Sequence, residues 1–213
     1  MGIDWFFTDR SSRFVRPGQS RAACHQVHGT GVAVVGPDFP YDDPPQADAL
    51  VTRLTGVALV IHVADCVPVL LADQRAGVIG AAHAGRVGLL AGVLQATVAA
   101  MRDLGASDVH AWIGPHICAS CYEVPADMAA AAWELIPATL AVSRLGTPAI
   151  DLGAGALAVL DSEGVGRTER HDPCTMCDAR FFSYRRDRTL QRQEGIIVRT
   201  ARVGPNEPGR AVA

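Results

Sequence analysis

The stretch VALVIHVADCVPVLLADQRAGVIGAAHAG, residues 57–85, decides the fold. It holds three apolar runs, Val57–Val63, Val67–Leu71 and Val78–Ala82, each of strand length and rich in β-branched residues, so buried strands are favoured over helix. Asp65 and Pro68 make the first junction irregular. Upstream, Ala49–Thr52 reads the same way and is parted from Val57 by Thr55–Gly56. Earlier strands are expected over Ala22–Val27 and Gly31–Val35. Pro37–Gln46, with four prolines and three aspartates, reads as a loop, and Tyr41 is a candidate to point from it toward a site. The character changes after His83. Gly88–Leu104 is an Ala- and Leu-rich helical run with Gly105 as its stop. A strand over Val109–Ile113 follows, then helices from Pro125 to Leu135 and from Leu152 to Ser162, the last closed by Gly164. FFSYRRD (181–187) reads as a polar turn, Gly195–Val203 as a terminal strand, and the tail PNEPGRAVA as frayed.

Strands and helices mix without a βαβ rhythm. The expectation is an α/β (α+β) sandwich of mixed sheets and helices in one domain, 1–213, and not a barrel or a doubly wound sheet. No internal repeat, phosphate loop or dinucleotide glycine fingerprint is present; AGRVG (84–88) fits neither glycine pattern. Nearly half of the residues are hydrophobic, and 22 acidic against 19 basic residues give a net charge of -3. That balance argues against a nucleic-acid surface. The opening MGIDWFFTDRSSRF lacks a secretory pattern, no apolar run is long enough to span a bilayer, and six cysteines in this length do not suggest a disulfide scaffold. A soluble cytoplasmic protein with reduced thiols is expected.

The chemistry-bearing residues are His28, Cys66 and His83. His83 follows a buried strand and precedes a helix, Cys66 sits in an irregular junction, and His28 is loosened by Gly29 and Gly31. At each position a packed core residue competes with a ligand. Together, two imidazoles and a thiolate suit one zinc ion with an open fourth position. Asp65 beside Cys66 is a candidate proton acceptor or ligand orienter. Cys66 with His83 as base is also a candidate thiol-hydrolase pair. Cys118/Cys121 and Cys174/Cys177 form two CxxC pairs that read as packed thiols, a closed structural zinc site or, less naturally, a redox dithiol. Seven histidines, none in an HxH pair, make a multicopper centre hard to assemble, which disfavours copper. Basic residues gather at Arg180, Arg185, Arg186, Arg188 and Arg192, a local anion site. Arg185 and Arg186 are candidates to grip phosphate, as is Arg86; ordinary surface charge is the competing reading. Phe181, Phe182 and Tyr184 are core residues or a stacking surface for a purine.

QVHGTGV (26–32), ADALVT (47–52), HVADCVPVLLAD (62–73), AAHAG (81–85), GPHICASCYEV (114–124) and CTMC…FFSYRRD (174–187) stand in one order. That ordered set resembles the bacterial YfiH/YlmD family over about residues 20–200. The family is also labelled laccase-domain, multicopper polyphenol oxidoreductase, purine nucleoside phosphorylase and peptidoglycan editing factor-like. The resemblance implies a YfiH-like, cytotoxic necrotizing factor-like fold and one catalytic zinc ion on His28, Cys66 and His83. It implies zinc-dependent phosphorolysis of adenosine, inosine, guanosine and methylthioadenosine, with adenosine deamination in some members. Cys66, His83 and Asp65 are then the catalytic candidates. Arg86, Arg185, Arg186, Tyr184 and Cys121 are the candidates for contacting a purine nucleoside and phosphate, in a monomer or homodimer that binds neither nucleic acid nor membrane. The alternative is a metal-binding member acting in peptidoglycan precursor editing or in partner binding, with little nucleoside turnover. Several positions depart from the family pattern. HAGWRG reads HAGRVG, so Arg86 and Val87 replace Trp and Arg. Ser120 replaces the first Cys of CCYEV. Gly155, Ala156 and Ala158 stand where Asn, Arg and Gln are usual, and Gln191 where Gly is. The metal triad is intact, and the polar substrate shell is thinner.

Overall fold

The structure, a computed structural model, describes residues 2–12 and 19–201. Strands β1 (Gly2–Phe7), β2 (Ser20–Ala22), β3 (Val32–Val34) and β4 (Ala49–Thr52) lead into β5 (Val57–Val63), β6 (Val67–Asp73) and β7 (Val78–Ala84). There follow α1 (Arg86–Ala91), α2 (Val93–Asp103), β8 (His110–Ile113), α3 (Ala126–Leu135), β9 (Leu140–Val142), β10 (Pro148–Ile150), α4 (Leu152–Ser162), β11 (Arg167–Arg170), α5 (Tyr184–Asp187) and β12 (Gln193–Thr200).

The strands form a six-stranded sheet, β11-β8-β6-β7-β4-β3, a four-stranded sheet, β1-β12-β5-β2, and the β9–β10 hairpin. Both large sheets are mixed: β2–β5, β3–β4 and β8–β11 pair in parallel, and the other neighbours run antiparallel. The period-two alternation of strands places successive side chains on opposite faces. From β4, β6 and β7, Ala49, Val51, Val67, Val69, Leu71, Val78 and Ala82 face α2 and α4, meeting Leu94, Val98, Met101, Ala156 and Leu160. Leu50, Leu70, Ile79 and Ala81 face the other way, onto Leu59, Ile61, Val63 and Ile197 of the small sheet. With both faces covered, the strands read as unbroken apolar runs. The result is a mixed α/β sandwich, as the order of runs predicts. No helix among the described residues is long and apolar enough to cross a membrane.

Several boundaries differ from expectation, each for a tertiary reason. β2 ends at Ala22, because residues 23–29 leave the sheet to build a loop whose amides bond to Asp48. The helix expected over Gly88–Leu104 is two, broken at Gly92 with φ of 103°. His83 lies inside β7, not after it. The terminal strand is β12, which begins earlier and stops at Thr200; Val203 and the tail at 205–213 lie outside the described residues. Segment 181–187 contains the short helix α5. β1, β9, β10 and β11 have no counterpart among the expected strands.

Candidate functional site

Strand register explains why residues distant in sequence meet. β6 pairs antiparallel with β7 so that Val67 opposes Ala84 and Pro68 opposes His83, which brings the start of one strand beside the end of the other. Cys66 is the residue just before β6, where the chain crosses from the small sheet to the large one. Asp65 makes that corner in the left-handed region, φ 84°. β4 pairs antiparallel with β7, Ala49 opposite Ala82, so Asp48 falls beside His83, and the His83 amide donates to the Asp48 carbonyl at 2.7 Å.

Asp48 is fully buried and organises the site. Its Oδ1 accepts from His83 Nδ1 at 2.8 Å and from the His28 amide at 2.9 Å. Its Oδ2 accepts from the amides of Val27 at 3.2 Å and Gly29 at 2.6 Å. One carboxylate therefore fixes the His83 ring, leaving Nε2 as its remaining ligand atom, and holds the loop that presents His28 with φ 60°. The imidazole rings of His28 and His83 stand 4.8 Å apart, edge to face. The Cys66 sulfur is 4.0 Å from His28 Nε2. The ligand atoms of His28, Cys66 and His83 all lie within 4.8 Å of one another. Ligands 2.0–2.3 Å from a tetrahedral ion are separated by about 3.3–3.8 Å, so closure needs shifts of under ~1.5 Å. Gly85 completes the cradle: a Cβ there would come within 2.9 Å of His28 Cδ2 and 3.1 Å of Cys66 Sγ. These residues fit a metal ion in both donor chemistry and space.

The electrostatics agree. Burial acts to raise the Cys66 thiol, but hydrogen bonds and charge from His28 and His83 outweigh it and bring the pKa down to about 6. Burial acts to lower His83, but Asp48 and Cys66 outweigh it and push the pKa up to about 9. Asp48 stays below the usual carboxylate range, its burial outweighed by bonds from His83 and the loop amides. Both shifts favour the charged forms, thiolate at Cys66 and a protonated ring at His83.

The triad opens into a cavity of about 820 Å³ whose wall includes Arg86, Tyr122, Tyr184, Arg185, Arg188 and Arg192. The Arg185 amide donates to Asp65 Oδ2 at 2.6 Å, its Nη1 to the Glu123 carbonyl at 2.7 Å, and its guanidinium lies 4.8 Å over the Tyr122 ring. Asp65 lines the cavity, but its second oxygen accepts from Thr175 Oγ1 at 2.6 Å. Its carboxylate fastens the wall, and the carboxylate that orients a ligand is Asp48. Of the sequence candidates, Arg86, Arg185 and Tyr184 line the cavity with the triad. Arg186 and Cys121 do not. Arg186 gives its guanidinium to the carbonyls of Thr175, Met176 and Phe181 and to Asp187. Cys121 is buried with its sulfur 3.3 Å from that of Cys177. Tyr41 stacks edge-on with Phe39 instead of reaching the cavity, and Phe181 and Phe182 are core. Asp48 and Tyr122 are the site residues that the sequence reading missed. A carboxylate heading a short, largely apolar strand signals a buried partner, and that signal was present in ADALVT.

A family model described as multi-copper polyphenol oxidoreductase laccase matches residues 10–200. The purine nucleoside phosphorylase SCO2081 of Streptomyces coelicolor is 49% identical over 177 residues, covering 81% of this chain and 72% of that protein. The purine nucleoside phosphorylase of Deinococcus radiodurans is 43% identical over 169 residues, covering 78% of this chain and 64% of that protein. Among solved structures, NMB0706 of Neisseria meningitidis superposes with a TM-score of 0.76 at 35% identity, over 86% of this chain and 76% of the other. YlmD of Geobacillus stearothermophilus gives 0.77 at 30% identity, over 86% and 74%. Fold, motifs and metal-ligating triad converge, and the chain belongs to the multi-copper polyphenol oxidoreductase laccase family, the YfiH-type family that its motifs indicate.

Proposed function

We propose that this chain is a zinc-dependent enzyme that cleaves the N-glycosidic bond of purine nucleosides with phosphate. The observation that carries the reading is the His28–Cys66–His83 cluster, its ligand atoms within 4.8 Å, at the base of a cavity walled by four arginines. Relatives at 49% and 43% identity named purine nucleoside phosphorylases support it. When bound, zinc supplies a Lewis acid with one position free for a substrate donor. Asp48 holds the His83 ring through Nδ1, so Nε2 is the atom turned toward the ion, and metal binding would release its proton. Arg86, Arg185, Arg188 and Arg192 supply the positive wall that a phosphate dianion requires. Phosphate oxygen forms the new bond to the anomeric carbon, the C–N bond breaks, and its electron pair leaves with the purine, which takes up a proton. Tyr122 and Tyr184 line the same cavity and offer aromatic surface to a base, Tyr122 being fixed under Arg185.

A second reading, a metal-binding family member with little nucleoside turnover, rests on a specific observation. α4 contributes only Leu152 to the cavity, because Gly155 and Ala156 are buried against the core and not turned toward a substrate. The polar groups usual at those positions have no substitute on that wall. The deciding experiment incubates metal-quantified protein with adenosine, with and without phosphate. Adenine and a sugar phosphate formed only with phosphate support the first reading. Inosine in both samples assigns deamination to the same site. No product with a fully zinc-loaded protein supports the second reading.

A further inference from the structure

Away from the triad, Cys118, Cys121, Cys174 and Cys177 bring four sulfurs together, all within 4.8 Å of one another. None of them is in a disulfide. They come from two facing knuckles. In the first, the amides of Cys121 and Tyr122 fold back on the Cys118 carbonyl, both at 3.0 Å. In the second, the Asp178 amide closes on the Cys174 carbonyl at 2.9 Å. His116 and Cys174 join the two in a parallel bridge, and the Cys118 amide donates to the Cys174 sulfur at 3.3 Å. Core packing does not account for this placement. Only Cys121 is buried, whereas Cys118 and Cys174 are half-buried and Cys177 is exposed. A small hydrophobe has no reason to gather at a surface in fours. Four ligands around a tetrahedral zinc at about 2.3 Å lie roughly 3.8 Å apart, the scale of this cluster. The second knuckle is preformed: Arg186 donates to the Thr175 carbonyl at 2.8 Å and the Met176 carbonyl at 3.0 Å from Nη1, and to the Phe181 carbonyl at 2.7 Å from Nη2.

We propose that these four cysteines hold a second, structural zinc ion, closed on all sides by thiolate and separate from the triad. Four S–H bonds give way to four Zn–S bonds, and the protons leave to solvent. The resulting centre carries a formal charge of about −2, from one divalent cation and four thiolates, with the Arg186 guanidinium on the backbone behind it. The ion has no open position and takes no part in chemistry. Its effect on the cavity is positional. Tyr122 directly follows Cys121, and Thr175, inside the second knuckle, donates to Asp65, which in turn holds the Arg185 amide. One cation thus fastens the wall formed by Tyr122, Asp65 and Arg185.

The test compares zinc content in three proteins prepared under reductant: wild type, H28A/C66A, and C121S/C177S. The expected stoichiometry is two, one and one zinc per chain. Zinc-edge absorption of H28A/C66A should show a first shell of sulfur alone at about 2.3 Å. A wild type holding one zinc that disappears in H28A/C66A overturns the proposal. A nitrogen- or oxygen-containing shell in H28A/C66A overturns it equally. So does a Cys121–Cys177 disulfide found by mass spectrometry in protein loaded with zinc under reductant. Should C121S/C177S fail to fold, the H28A/C66A sample decides alone.

Discussion

Asp48 sits at the head of β4 with its four acceptor directions spent on His83 and three consecutive amides. Replacing it with asparagine turns one acceptor oxygen into a donor facing other donors, and leaves His83 without its charged partner. Orienting carboxylates of this kind are worth roughly 10- to 100-fold in metal affinity, and a lost charged hydrogen bond in the interior costs about 1–3 kcal/mol. Asp48→Asn is therefore expected to weaken zinc retention in chelator competition by that factor and to lower the urea midpoint. An unchanged zinc affinity would remove Asp48 from the site. Cys66 gives a second measurement. In metal-free protein its thiol, brought from 9.0 to about 6 by the neighbouring imidazoles against its burial, is ionised at neutral pH. The rate of alkylation should rise through a midpoint near pH 6 and be suppressed by zinc. The hydrogen bond from His28 lowers the thiol most and His83 adds a second bond and charge, so in His83→Ala the midpoint should move upward. Full nucleoside turnover in metal-free protein, abolished by alkylation, would instead favour the thiol-hydrolase reading of Cys66 with His83.

At the level of elements, the Ala- and Leu-rich run after His83 shows what periodicity cannot specify. Its apolar spacing continues through Gly92, so one long helix is the natural expectation, and an isolated glycine does not forbid it. The break is imposed from outside the helix. α1 must start directly after the triad, where Gly88 passes so close to the loop that a Cβ would lie 2.7 Å from the Gly29 carbonyl oxygen. α2 must lie along β7 and β4 to cover Val51, Val78 and Ala82. No straight helix meets both demands, and Gly92 absorbs the turn at φ 103°. A side chain in that region costs about 1–2 kcal/mol, while alanine would be the better residue were the helix continuous. Gly92→Ala is accordingly expected to lower stability by about that amount in urea unfolding; a stabilised variant would show that the helices can merge. The short edge strands were illegible for a related reason. β1 is half-buried at every position, with no alternation to read, and β9 and β11 are three- and four-residue pieces too short to show a period.

Across the whole molecule, the sandwich was legible because β4 to β7 are covered on both faces and so carry their burial openly as apolar runs. Residue type alone left the triad open, since at each position a packed core residue competed with a ligand, and the ordered motifs that resemble the YfiH/YlmD family are what singled out His28, Cys66 and His83. What the sequence could not convey was convergence. The basic cluster at 180–192 reads as one anion site, yet the fold turns Arg185, Arg188 and Arg192 into the cavity, sets Arg186 behind a cysteine knuckle and pairs Arg180 with Asp178. The same global pairing creates a charge cluster across three strands of the small sheet. Glu194 of β12 meets Arg21 of β2 at 2.7 Å and His62 of β5 at 3.4 Å. Burial acts to raise its carboxyl, but His62 and Arg21 outweigh it and bring the pKa from 4.5 to about 2. A folded-state pKa lowered in this way contributes stability that is complete above the unfolded value of 4.5 and is lost as the pH falls through about 2. Discounted for solvent screening, the contribution is about 1–2 kcal/mol. Glu194→Gln cannot ionise and keeps none of this pH dependence. Urea unfolding of the two proteins should therefore separate them by about that amount at pH 7, the gap narrowing between pH 4.5 and 2. A gap that stays constant down to pH 2 would mean that Glu194 acts by packing and not by charge, and that the strands of the small sheet are joined without it.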